Sequence, residues 1–402
     1  MTTDALIFDF DVWLMYDEKP RYQAFLDKVP LTIQDINYVR DRAILPLRHQ
    51  GLGILALEER IYTANYIACT SIATSKNTLE KDTWTRLSQD LQWKNAYQVL
   101  KNKVINMLDS VAIPSDETLN KMSMKQLQDK WHTKMAQQHM AESNLKQRQR
   151  LQANKAWGVQ TVLWAWPKRR ETTLHDWDFI YAVRMRLGYG LEQILNLQAN
   201  DNPTACKACN KPNAKAVPEH IASCGRIALK RHDEVVNTIA EMIEATGVRT
   251  VIREKDVGLG DNKRIDIWFK DSYANNPLKP YYMVDPTIIQ SFQSTSTAAP
   301  KTTARLMQAY NRKLQTYSQA AHDHAATLVP LPFTTSGAFH GKFNSFLKDM
   351  AQTAAATQTI DPTKTKHFAT YWRTNVLFSI ARATAKYAGK AACLHNTALP
   401  SN

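Results

Sequence analysis

Apolar residues recur along this chain with two different periods, and the change of period divides it. Met124, Leu127, Trp131 and Met135 fall three and four apart, which predicts one face of an amphipathic helix. Residues 1–199 as a whole are expected to be mostly helical. Between Arg231 and Ala245 the set Val235, Val236, Ile239, Met242 and Ile243 keeps the helical period, and Gly247 supplies a C-terminal stop. The pattern then turns to β. Thr250–Arg253 and Ile265–Phe269 read as strands separated by a loop with Gly258 and Gly260, and the aromatic and β-branched run Tyr281–Ile289 reads as a third. Ser291–Thr303, rich in Ser, Thr and Ala, predicts a loop. Arg305–His322 is helical again, Leu328–Phe333 predicts a final strand, and Phe343–Thr357 and Thr370–Ala388 predict helices. Helix, three strands, helix, strand make a compact mixed α/β unit of about 110 residues.

Length leaves room for more than this unit. At 402 residues two or three domains are expected, and Asn200–Asp201–Asn202–Pro203 marks a linker. No apolar run approaches the roughly 20 residues of a membrane span, and Met1–Asp11 holds three Asp and no Lys or Arg, unlike a secretion signal. A soluble intracellular protein is expected. Lys plus Arg number 51 against 37 for Asp plus Glu, and the resulting +14 favours phosphate polyanions through counterion release. Nucleic acid is the expected partner, and no anchor motif speaks for a membrane. Basic residues gather at Lys121, Lys125, Lys130, Lys134, Lys146, Arg148 and Arg150, and again at Lys168–Arg169–Arg170 after Trp157, Trp164 and Trp166. Arg beside aromatic rings can hold stacked bases. Solvated helix faces and core tryptophans account for the same residues, and both readings stand at this point.

Five cysteines are too few for a secreted disulfide scaffold, and three of them crowd between positions 206 and 224. Cys206-x2-Cys209-x10-His220-x3-Cys224 has the ligand types and the count of a closed tetrahedral zinc site. The two-residue gap lets both thiolates of a tight turn face one ion, and His220 and Cys224 lie one helical turn apart. Four protein ligands leave no open position, so the site is expected to be structural.

Asp266 sits within the apolar run Ile265–Phe269, and Asp285 interrupts Tyr282–Ile289. A carboxylate in a buried strand is unfavourable unless paired or metal-bound. Two such groups on neighbouring strands could hold one Mg²⁺ through oxygen ligands, and the ion could acidify a water and clamp a phosphate oxygen. Lys313 on the next helix, with Tyr317 one turn later, could stabilise the charge developing on the phosphorane. Equally, each Asp could sit at a strand end as a cap or a partner to an Arg.

Taken together, Cys206–Cys209, Glu219-His220-Ile221 with Cys224, and Arg231-His232 opening a helix resemble the C-terminal part of site-specific non-LTR retrotransposon polyproteins. Lys263-Arg264-Ile265-Asp266, Val284-Asp285 and Lys313-x3-Tyr317 resemble that family's restriction-like endonuclease, a variant of the PD-(D/E)xK pattern. Leu45–Ile54 is similar to the segment after the polymerase thumb. The resemblance implies a helical post-thumb-like region at 1–199, a CCHC knuckle at 200–230, an α/β endonuclease core at 231–345 and a helical tail at 346–402. It implies Asp266, Asp285, Lys313 and Tyr317 as catalytic residues, and Mg²⁺-dependent cutting of target DNA to prime reverse transcription in the nucleus. Arg231, His232, Lys263, Arg264 and Lys168–Arg170 are expected to contact the DNA or the element's RNA. The family has Pro before its first Asp, where Ile265 stands here, and no Tyr/Phe-x-Asp-Asp polymerase signature occurs. The alternative expectation is a catalytically inactive nucleic-acid-binding remnant of such an element.

Overall fold

The computed structural model describes residues 64–71, 77–108, 122–143, 218–258, 264–273, 278–291 and 302–391, with isolated positions at 45, between 148 and 182, and between 206 and 211. Lys121, Lys146, Arg150, Trp157, Trp164, Trp166, Lys168–Arg170, Lys263 and nearly all of Leu45–Ile54 lie outside them. No described helix is long and apolar enough to cross a membrane.

In the N-terminal half, helices α1 (Thr78–Gln89), α2 (Leu91–Leu108) and α3 (Met124–Glu142) follow one another. A capping box starts α3, with Ser123 accepting from the Gln126 amide and the Gln126 side chain accepting from the Ser123 amide. Leu127 and Trp131 on the expected face are buried, and Leu127 joins Tyr66 and Val104 in a small core.

The second half is a mixed α/β unit. After the short helix α4 (Pro218–Ser223) come α5 (Gly225–Glu244), β1 (Val251–Asp256), β2 (Arg264–Lys270), β3 (Tyr281–Ile289), α6 (Thr302–Asp323), β4 (Ala326–Thr334), α7 (Lys342–Ala356) and α8 (Thr365–Ala391). The described strands form one four-stranded sheet in the order β1-β2-β3-β4, antiparallel until β3 meets β4 in parallel. The crossover between β3 and β4 is helix α6, as a parallel pair requires. Edge strand β4 tolerates Pro330 and Pro332, because a missing N–H does no harm on an open side. The Pro332 carbonyl accepts from the His340 amide, beyond the sheet.

Helix α5 begins at Gly225, earlier than the apolar set alone indicates, since Ile227 and Arg231 continue its buried row. It ends where Gly247 adopts φ +82 and returns its amide to the Glu244 carbonyl. The core under the sheet joins Val235, Ile239 and Ile243 of α5 to Ile267, Phe269, Val284 and Phe333, and continues through Phe343, Phe346 and Leu347 of α7 to Leu377 and Ile380 of α8. Helices α7 and α8 therefore belong to the sheet's own core and do not trail from it as a tail.

Candidate active site and metal centre

A proline inside β3 creates the gap in which the acidic pair sits. Residues of β2 and β3 pair from Lys270↔Tyr281 to Ile267↔Val284, and the ladder stops there. The next pair in that register is Asp266 with Asp285, followed by Pro286, which has no N–H to give. On the other side of β2, the ladder to β1 runs Arg253↔Ile267 and Lys255↔Ile265, passing over Glu254 opposite Asp266. Glu254 has φ +50, an uncommon backbone for a non-glycine residue. Asp266 thus lies where the pairing is interrupted towards both neighbours.

Two cations close on the carboxylates. Lys313 of α6 places Nζ 2.8 Å from Asp285 Oδ2. Asp285 is 1% exposed. Burial pushes its carboxyl up to about 7, against the Lys313 ammonium, which draws it down, while Asp266 adds to the rise. From the opposite helix α5, His232 Nε2 lies 3.2 Å from Asp266 Oδ2 and 3.1 Å from the Pro286 carbonyl oxygen. Burial pulls the imidazole down, but Asp266, Asp233 and the Pro286 carbonyl outweigh it and hold His232 at about 9. It is therefore protonated at neutral pH and donates. The Pro286 carbonyl, beyond the end of the β2–β3 ladder, finds a donor here.

Tyr317, one turn beyond Lys313, lies with its ring 5.5 Å from the ammonium and donates its hydroxyl to the Arg264 carbonyl. Burial, reinforced by Asp285 and Asp266, pushes that phenol up to about 12, so it stays a donor. The fold therefore brings together Asp266, Asp285, Lys313 and Tyr317 as the sequence anticipates. One expected nucleic-acid contact is corrected: Arg231 is 1% exposed on the inner face of α5 and cannot reach a phosphate. His232 is bonded to Asp266 and the Pro286 carbonyl, with part of its ring still open to solvent. Arg264 is exposed beside Glu254, 3.5 Å away.

Some distance along the chain, Cys206, Cys209, His220 and Cys224 offer ligand atoms that all lie within 4.8 Å of one another. His220 comes from α4 and Cys224 is the N-cap of α5. Cys209 Sγ is 3.4 Å from His220 Nε2. The Lys211 amide, followed by weaker partners, holds the Cys209 thiol below its ordinary value, whereas burial pushes Cys206 up. Burial and Lys211 also hold His220 down, which favours the neutral imidazole that ligates. Thiolate and imidazole donors converging this closely could hold a metal ion.

Sequence reasoning placed these two clusters but missed what His232 does. No pattern in the sequence marks the contact, because the Pro286 carbonyl that His232 meets lies 54 positions along the chain. No protein-family model matches the chain, and no curated protein matches it.

Proposed function

We propose that the α/β unit is a restriction-like, PD-(D/E)xK-type endonuclease that cuts DNA with Mg²⁺, and that the chain derives from a non-LTR retrotransposon whose target cut primes reverse transcription. One observation carries the reading: Asp266 and Asp285 are next-in-register partners at the end of a broken ladder, with the Lys313 ammonium 2.8 Å from Asp285. The helix–three strands–helix–strand order supports it. The donor set fits a hard ion, since carboxylate oxygens on two strands face a common gap. Asp266 and Asp285 would hold Mg²⁺, which supplies a clamp on a phosphate oxygen and an acidified water. Lys313 then faces the charge that develops on the phosphorane. His232 fixes the orientation of Asp266, and Tyr317 ties α6 to the strand that carries it.

The Cys206, Cys209, His220 and Cys224 cluster is read as a structural zinc knuckle. Together with the basic surface it would hold target DNA, and the element's RNA, in the nucleus by phosphate contacts that fix register without reading sequence. Incubating the full chain with supercoiled plasmid tests the catalytic reading. Nicked or linear DNA should accumulate in Mg²⁺ and not in EDTA. A second reading, the inactive nucleic-acid-binding remnant, is favoured by the same ion pairs, because Lys313 and His232 already neutralise both carboxylates. DNA binding without cutting in Mg²⁺ or Mn²⁺ selects it.

A further inference from the structure

The two clusters described above share one helix. Cys224 is the N-cap of α5, and its side chain makes no capping hydrogen bond to the first turn. Its carbonyl accepts from the Ala228 amide at 2.8 Å, the bond that opens the helix. His232 lies two turns further along, roughly 12 Å at the rise of an α-helix. Beyond it, Val235, Ile239 and Ile243 lock the helix into the sheet's core. His232 therefore lies between the Cys224 cap and this packed stretch, with Ile227 and Arg231 of the first turns also buried.

We propose that a metal ion in the Cys206–Cys209–His220–Cys224 cluster serves as the cap of α5 and thereby positions His232 against Asp266 and the Pro286 carbonyl. Three thiolates and a neutral imidazole around a divalent ion carry one net negative charge, placed at the positive end of the helix. The ion also ties the helix start to the separate segment that bears Cys206 and Cys209, and to His220 on α4. Cys224 is thus a positioning residue that acts through His232. The contact is a physical one, and only its consequence for cleavage rests on the nuclease reading.

Hydrogen exchange read by mass spectrometry on the full chain tests this, with zinc content measured in parallel. Stripping zinc should speed exchange of a peptide covering residues 225–233 about tenfold, the scale of a lost cap. Residues 239–244 should stay protected, and adding zinc back should restore the first peptide. Cys206→Ser lies outside α5 and should loosen 225–233 as much as Cys224→Ser does, because both act through the ion. Unchanged exchange in zinc-free protein overturns the proposal. So does loss of protection throughout 239–244 and β2, an effect confined to Cys224→Ser, or a chain that neither carries nor takes up zinc. Protection that follows zinc while plasmid remains uncut would sink the nuclease reading and leave this inference standing.

Discussion

At Asp285 the fold keeps a carboxyl group where water does not reach, and its only close cation is the Lys313 ammonium among the described residues. A carboxyl raised from its usual range to about 7 is favoured in its protonated form by the folded state. The folded state then carries no penalty near pH 4 and below, and the full penalty above about pH 7, so stability in metal-free buffer should fall between those limits. Asn at this position has no such proton to lose. Asp285→Asn should therefore raise Tm by several degrees at pH 8 in EDTA, and by far less at pH 4. A lower Tm at pH 8 would show that the ion pair outweighs the desolvation. If the pair holds a catalytic ion as proposed, Lys313→Ala should slow cleavage by about a hundredfold, the usual worth of one preorganised charge at a transition state. Tyr317→Phe should slow it less, since its hydroxyl bonds only the Arg264 carbonyl.

Among the elements, those whose side chains face one core were legible in the sequence. Tyr281–Ile289 alternates faces through Tyr282, Met283 and Val284, and strand β3 has those bounds. Strand β1 was shorter in the sequence than in the fold, because Arg-Glu-Lys-Asp lacks a β pattern and Glu254 leaves the ladder with φ +50. Asp266, Asp285 and Lys313 could be read as one site because strand and helix periods point them to a common place. The His232 contact could not, since it joins residues 34 and 54 positions apart through a carbonyl that no pattern marks.

A second contact invisible in the sequence joins the N-terminal half to the sheet. Val159 packs with Ile289, Leu306 and Ala338, and Gly158 beside it has φ +98. A Cβ at Gly158 would lie 2.6 Å from Phe339 Cε1 and 2.7 Å from the Gly337 carbonyl oxygen. Gly158→Ala should therefore destabilise the protein by about 1–3 kcal/mol in urea unfolding. Gly341→Ala is the control: with φ −56 and nothing within 4 Å, it should be neutral or slightly stabilising. Equal effects of the two changes would mean that the Gly158 seat does not hold the halves together.

Over the whole molecule, the +14 charge makes the proposed association with DNA an ionic matter. Binding should weaken steeply with salt, and replacing Lys168, Arg169 and Arg170 together should flatten the logarithmic slope by about 0.9 for each phosphate that the variant no longer neutralises. An unchanged slope would return those residues to the solvated exterior. Under the proposed nuclease reading, charge brings DNA to the surface and the acidic pair does the chemistry, two roles that a single assay separates. Anisotropy and cleavage would be followed together on one labelled duplex in Mg²⁺, for the wild-type chain and for Asp266→Asn and Asp285→Asn. If the acidic pair holds the catalytic ion, all three bind equally or the variants more tightly, with a negative charge gone from beside the phosphates, and only the wild type cuts. Undiminished cutting by either variant, or a wild type that binds and leaves the duplex whole, would contradict it.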